Sequence, residues 1–257
     1  MRIRLNIVGS VEMLDQLQVY YQKNGILSTA FSCRHMAECS ADCPSFTGPK
    51  SAYVGTGYEK RELPRLLFLS LDSGSGEKDN LERLPESVRR QEEIECDVAG
   101  LHEAKHWFRT HELAWYILKR FRQGLGLGDV KHHFAHANSA KCCMNNPGRK
   151  KANAILFRNC GHYLAGELKI LNPDIVVTQG KEAREAMNSL TSNYIKHIDN
   201  FASTVELQGR NVFWLHTYHP SNYGKFNPQR NFNKATQIAD GWVRYSQHIY
   251  EFIRGNA

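Results

Sequence analysis

Residues 174–180, DIVVTQG, run directly into KEAREAMNSL at 181–190. A short β-branched apolar run closed by glycine reads as a strand, and the charged stretch after it opens a helix. The same grammar recurs along the chain. LLFLSL (66–71) is a continuous apolar run, which suits a strand buried on both faces, and polar DSGSG follows it. FAHANSAK (134–141) and NVFWLHTYHP (211–220) also read as strands. Helices are expected over 11–23 (Val11, Leu14, Leu17 and Tyr21 at helical spacing, after Ser10 and before Gly25), 106–126, 161–171 up to Asn172-Pro173, and the closing ATQIADGWVRYSQHIYEFIRG. Strands alternating with helices predict an α/β layered domain with a mainly parallel sheet. The charged stretch 75–105 reads as a solvated insertion with some helix in an otherwise single domain of 257 residues.

No run approaches the length needed to span a bilayer, and the N-terminal apolar patch is too short for a signal peptide. The chain is therefore expected in the cytoplasm, as a monomer, where clustered thiols more often bind metal than cross-link. There are seven cysteines, and Cys33, Cys39 and Cys43 fall within eleven residues, CRHMAECSADC. Cys142, Cys143 and Cys160 form a second group, in which two adjacent cysteines do not readily bind one metal. By residue type the two groups suit zinc or a [4Fe–4S] cluster equally well. A net charge of +7 favours a polyanionic partner such as nucleic acid.

In parallel sheets, ligands bind beyond the carboxyl ends of the strands. Two polar turns lie there: Asp72-Ser73-Gly74 after LLFLSL, and His219-Pro220-Ser221 after VFWLHTY. The glycine-rich turn lacks the Lys-Ser/Thr of a P-loop. A carboxylate at such an end suits orienting water or stabilising positive charge. A histidine held by proline suits donation to a developing anion. Taken singly, each reads as a turn former.

Four segments in order resemble the uracil-DNA glycosylase superfamily, nearest its iron–sulfur branch. They are CSADCPSF…YVGTG, then LLFLSLDSG at the first catalytic strand, then HANSAKCCMNN with NCGHYLAGELKILNPDIVVTQGKEA, then HPS at 219–221. The resemblance implies a three-layer α/β/α fold on a central, mainly parallel sheet of four strands, and hydrolysis of the N-glycosidic bond of a base extruded from DNA, with uracil as the first expectation. It implies Asn138 as reader of the base edge, His219 as stabiliser of the departing base, and Asp72 as the group that orients water. Leu71, Ser73, Gly74, Pro220 and Ser221 would border the base, with Phe108 or Trp107 stacked on it. Ser221, Asn222, Lys225 and Arg230 would grip phosphates. Cys39, Cys43, Cys142 and Cys160 would hold a structural [4Fe–4S] cluster, with Cys33 as substitute for Cys39 and zinc as the alternative metal.

The chain departs from the branch at Ser70-Leu71-Asp72-Ser73-Gly74, where the branch has Gly-Glu-Ala-Pro-Gly, and at Ala137, where it has threonine. These departures admit two other functions. One is release of another deaminated base, hypoxanthine or xanthine. The other is an iron–sulfur protein that binds nucleic acid and has lost the chemistry.

Overall fold

The computed structural model describes residues 12–27, 31–41, 46–74, 80–101, 105–144, 154–220 and 237–256. Seven strands form one sheet in the order β2–β4–β3–β6–β9–β8–β7. These are β2 (Tyr53–Val54), β3 (Leu66–Asp72), β4 (Phe134–Ala140), β6 (Ile175–Gln179), β7 (Thr191–His197), β8 (Ala202–Leu207) and β9 (Arg210–Thr217). The four adjacent strands β4, β3, β6 and β9 pair in parallel, whereas β2, β8 and β7 are antiparallel additions at the edges. The sheet is thus mixed and seven-stranded, not four-stranded and mainly parallel. The hairpin of β7 and β8 accounts for most of the difference. β7 is exposed along almost its whole length, so it has no buried face from which a pattern could be read. A separate two-stranded ribbon joins β1 (Phe46–Thr47) to β5 (Cys143–Met144).

Helices cover both faces. On one lie α1 (Met13–Lys23), α6 (Ala154–Leu171) and α7 (Lys181–Leu190). They bury Leu14, Leu17, Tyr21, Leu164, Leu168 and Met187 against the Leu67, Leu69 and Val176 side of the sheet. On the other, α5 (His106–Leu118) and the last helix, α8 (Gln237–Gly255), pack Leu113, Ile117, Trp242 and Ile249 onto Phe68, Val177 and Leu215. Short helices α2 (Met36–Ser40), α3 (Thr56–Glu59) and α4 (Pro85–Arg90) complete the described elements. Helix α6 begins seven residues before the expected start at 161, and Ser10 and Val11 lie outside the described residues.

The charged stretch is not simply solvated. Arg83 is fully buried, and Val88 and Val98 are nearly so. The Arg83 guanidinium donates to the Pro49 carbonyl (3.0 Å) and to Ser73 Oγ (2.7 Å). Arg89 donates to the Val54 carbonyl (2.7 Å) and pairs with Glu59. Residues 80–95 therefore brace the carboxyl end of β3. Charge alone could not reveal this, because a buried arginine with satisfied donors looks in sequence like any exposed one.

Candidate active site

The carboxyl ends of β3, β4 and β9 and the start of α5 surround a cavity of about 330 Å³. Its lining includes Ser70, Leu71, Asp72, Ser73, Gly74, His106, Trp107, His136, Asn138 and His219. Of the two aromatics expected to flank a base, Trp107 lines the cavity and Phe108 does not. Pro220 is buried beside His219, and Ser221, Asn222, Lys225 and Arg230 lie outside the described residues.

Each wall is held in place by local chemistry. Ser139 Oγ donates to the Ser70 and Leu71 carbonyls at 2.7 and 3.0 Å, fixing the end of β3 against β4. Asn138 sits opposite Ser70 in this parallel pair. Gly74 turns the chain at φ +65°, and Arg83 grips the preceding Ser73. Gly180, at φ +105° and donating to the Thr217 carbonyl, lets β6 pass into α7 close behind the site. A Cβ there would lie 2.8 Å from Leu71 Cδ2 and 3.6 Å from His219 Cβ. Glycine at 180 thus makes room for two cavity residues.

Sequence reading did not single out two histidines of this cavity. The His106 ring stacks on His219 with centroids 5.0 Å apart at 30°. The Trp107 and His136 rings meet edge to face at 5.0 Å and 89°, and Trp107 Nε1 donates to Glu92 Oε2 at 2.5 Å. The signal for His136 was present, since it lies two residues before Asn138 on one strand and so on the same face. His106 carried no such cue. Burial pushes His106 down to about 3, aided by the neighbouring His219. Burial likewise holds His136 well below its ordinary value and lowers His219, while Asp72 and Glu182 pull His219 partly back. All three imidazoles are neutral near pH 7, so each offers one N–H and one lone pair.

Cys39, Cys142 and Cys160 are buried together with Ala140 and Leu156 beneath Phe31, Phe46 and Phe157. Cys143, the adjacent thiol, belongs to β5 and lies outside this group. Cys43 lies outside the described residues. Cys33 is half-buried, 3.6 Å from the Tyr163 hydroxyl. Burial raises Cys142 well above the usual thiol range, and Cys160, Cys33 and Cys39 each raise it further. Asn159 Nδ2 and the Lys141 backbone N–H donate to the sulfurs of Cys39 and Cys160 at 3.4 and 3.3 Å. Sulfur ligands of this kind, two of them already accepting N–H donors, fit a thiolate-ligated cation in donor chemistry. Among the described residues, no three His, Cys, Asp or Glu side chains stand close enough to hold a metal ion as placed.

The fold is that of an α/β protein with a cavity at the carboxyl ends of its parallel strands, where α/β proteins bind their ligands. The family model described as the uracil DNA glycosylase superfamily matches residues 100–240, more than half of the chain. The chain belongs to that superfamily, whose membership indicates glycosylase-type chemistry on DNA. No curated protein matches it. No helix among the described residues is long and apolar enough to cross a membrane.

Proposed function

We propose that the protein is a base-excision glycosylase that hydrolyses the N-glycosidic bond of a damaged base extruded from DNA, most simply uracil. The observation that carries this reading is the meeting of Asp72, Asn138, Trp107 and His219 around one cavity. Extruding a base costs a few kcal/mol, least where the base is mispaired or single-stranded. Trp107 then supplies an aromatic wall and Asn138 an amide for the polar edge.

As the bond from base to sugar breaks, its electron pair leaves with the base and positive charge grows on the sugar. Neutral His219 donates its N–H to the base oxygen that becomes anionic. One preorganised donor of this kind contributes about 3–4 kcal/mol. Asp72 orients water toward the sugar and stabilises its charge. Water adds to the sugar carbon, its proton is lost, and the base leaves protonated. The reading takes the protein as a monomer acting in the cytoplasm.

We further propose that Cys39, Cys142 and Cys160, with Cys43 or Cys33 as the fourth thiolate, hold a [4Fe–4S] cluster. When bound, it supplies a structural tie between the N-terminal segment and α6.

The test is release of base from oligonucleotides that each carry one modified base, with iron measured on the same preparation. Uracil release that falls about 10²–10³-fold in His219→Ala supports the mechanism. Undiminished release removes it. Release of hypoxanthine or xanthine instead would reassign the substrate, and tight binding without any release would mean that the chemistry has been lost. A colourless, zinc-containing protein would refute the iron–sulfur assignment.

A further inference from the structure

A chain of hydrogen bonds runs from the cavity wall into the core and ends on a group that can only accept. Thr110 Oγ1 donates to the His106 carbonyl, one turn back in α5, at 3.1 Å. Its oxygen accepts from Gln179 Nε2 at 3.1 Å. Gln179 Oε1 accepts from Ser70 Oγ at 2.6 Å, which commits the only hydroxyl proton of Ser70. At the 2.8 Å contact between Ser70 Oγ and His136 Nε2, the histidine must therefore be the donor. The relay thus locks neutral His136 with its proton on Nε2 and its lone pair on Nδ1.

Among the described residues Nδ1 makes no hydrogen bond, and the ring is part of the cavity lining on the face shared with Asn138. We propose that His136 is a specificity-determining residue whose Nδ1 lone pair accepts the ring N–H of the bound base. This deepens the glycosylase reading and rests on it. Uracil and hypoxanthine carry a ring N–H where cytosine and adenine carry a lone pair, so a fixed acceptor meets a donor in the first two and another lone pair in the others. Asn138 alone discriminates less, because its amide presents a donor after a half-turn and an acceptor before it. A histidine whose tautomer is set from behind cannot switch in this way.

Two measurements on the full chain test the proposal. Imidazole ¹⁵N NMR should find His136 protonated on Nε2, and Thr110→Val, which cuts the anchor of the relay away from the cavity lining, should relax that preference. A His136 protonated on Nδ1 overturns the proposal. Single-stranded oligonucleotides with uracil or 3-methyluracil, which lacks the ring N–H, are then compared in release and in equilibrium binding. The wild type should favour uracil by about ten- to a hundredfold, as expected for one buried group left unpaired. His136→Leu should bring the ratio toward one, and Thr110→Val should lower it with the lining intact. Equal losses on both substrates would assign His136 a merely structural role and overturn the proposal. Preference in binding without release would sink the glycosylase reading and leave this inference standing, whereas release without preference would do the reverse.

Discussion

At the scale of single residues, the histidines impose an acid limit on the protein. Burial holds His106 to about 3, His111 and His216 to about 4, and His136 well below its ordinary value of 6.5. In the folded chain these groups stay neutral over a range in which the unfolded chain takes up protons. Unfolding then binds protons, so stability rises with pH through that range and falls on acidification below about 6.5. Each such histidine contributes up to about 1.4 kcal/mol per pH unit until its folded pKa is reached. Urea denaturation should therefore show a much lower midpoint at pH 5 than at pH 7. A flat profile would mean that these rings are solvated. The same neutrality is what allows His219 to act as a donor without carrying charge.

Among the elements, the passage from β6 to α7 is the most exacting. Gly180→Ala would set a methyl 2.8 Å from Leu71 at a positive φ. We expect a loss of about 1–3 kcal/mol in stability together with reduced base release, because Leu71 and His219 shift with it. A stability loss without any catalytic change would separate this glycine from the site. Elements buried on both faces were legible in the sequence: LLFLSL and DIVVTQG are runs that only a central strand can hide. Asp72 and His219 were legible for the same reason, as the polar residues that end such strands. Edge elements were not. TSNYIKH shows no buried face, and a hairpin of this kind is recognised only through its partner strand. The relay behind His136 was equally hidden, since Ser70, Thr110 and Gln179 are scattered in sequence and unremarkable one at a time.

Taken as a whole, the molecule is fastened across its helical layer by one buried polar knot. Lys141, just after β4, pairs with Glu167 of α6, and both side chains are almost completely buried. The Tyr21 hydroxyl of α1 donates to the same carboxylate and accepts the Ala52 N–H at 3.0 Å. Burial, reinforced by Glu167, pushes the Tyr21 phenol well above its usual range. Glu167→Leu should cost about 3–5 kcal/mol, because it strands a buried ammonium. The double variant Lys141→Met/Glu167→Leu should recover much of that loss, as read from urea midpoints. A double variant as weak as the single one would place the defect in packing. Lys141 also lends its backbone N–H to Cys160, so the knot and the thiol group share an anchor.

The aromatic wall of the cavity has an optical consequence. Trp242 and Trp214 are buried in the core, and Trp115 lies beneath the Lys119 ammonium, 3.6 Å from its ring centre. Trp107 is the tryptophan in the cavity lining, so it is the indole whose surroundings a bound base would replace. Intrinsic emission should change when an oligonucleotide with an extruded base binds, and Trp107→Phe should abolish the change while the other three indoles still emit. The fluorophore is native to the chain, so occupancy of the site can be followed without a label.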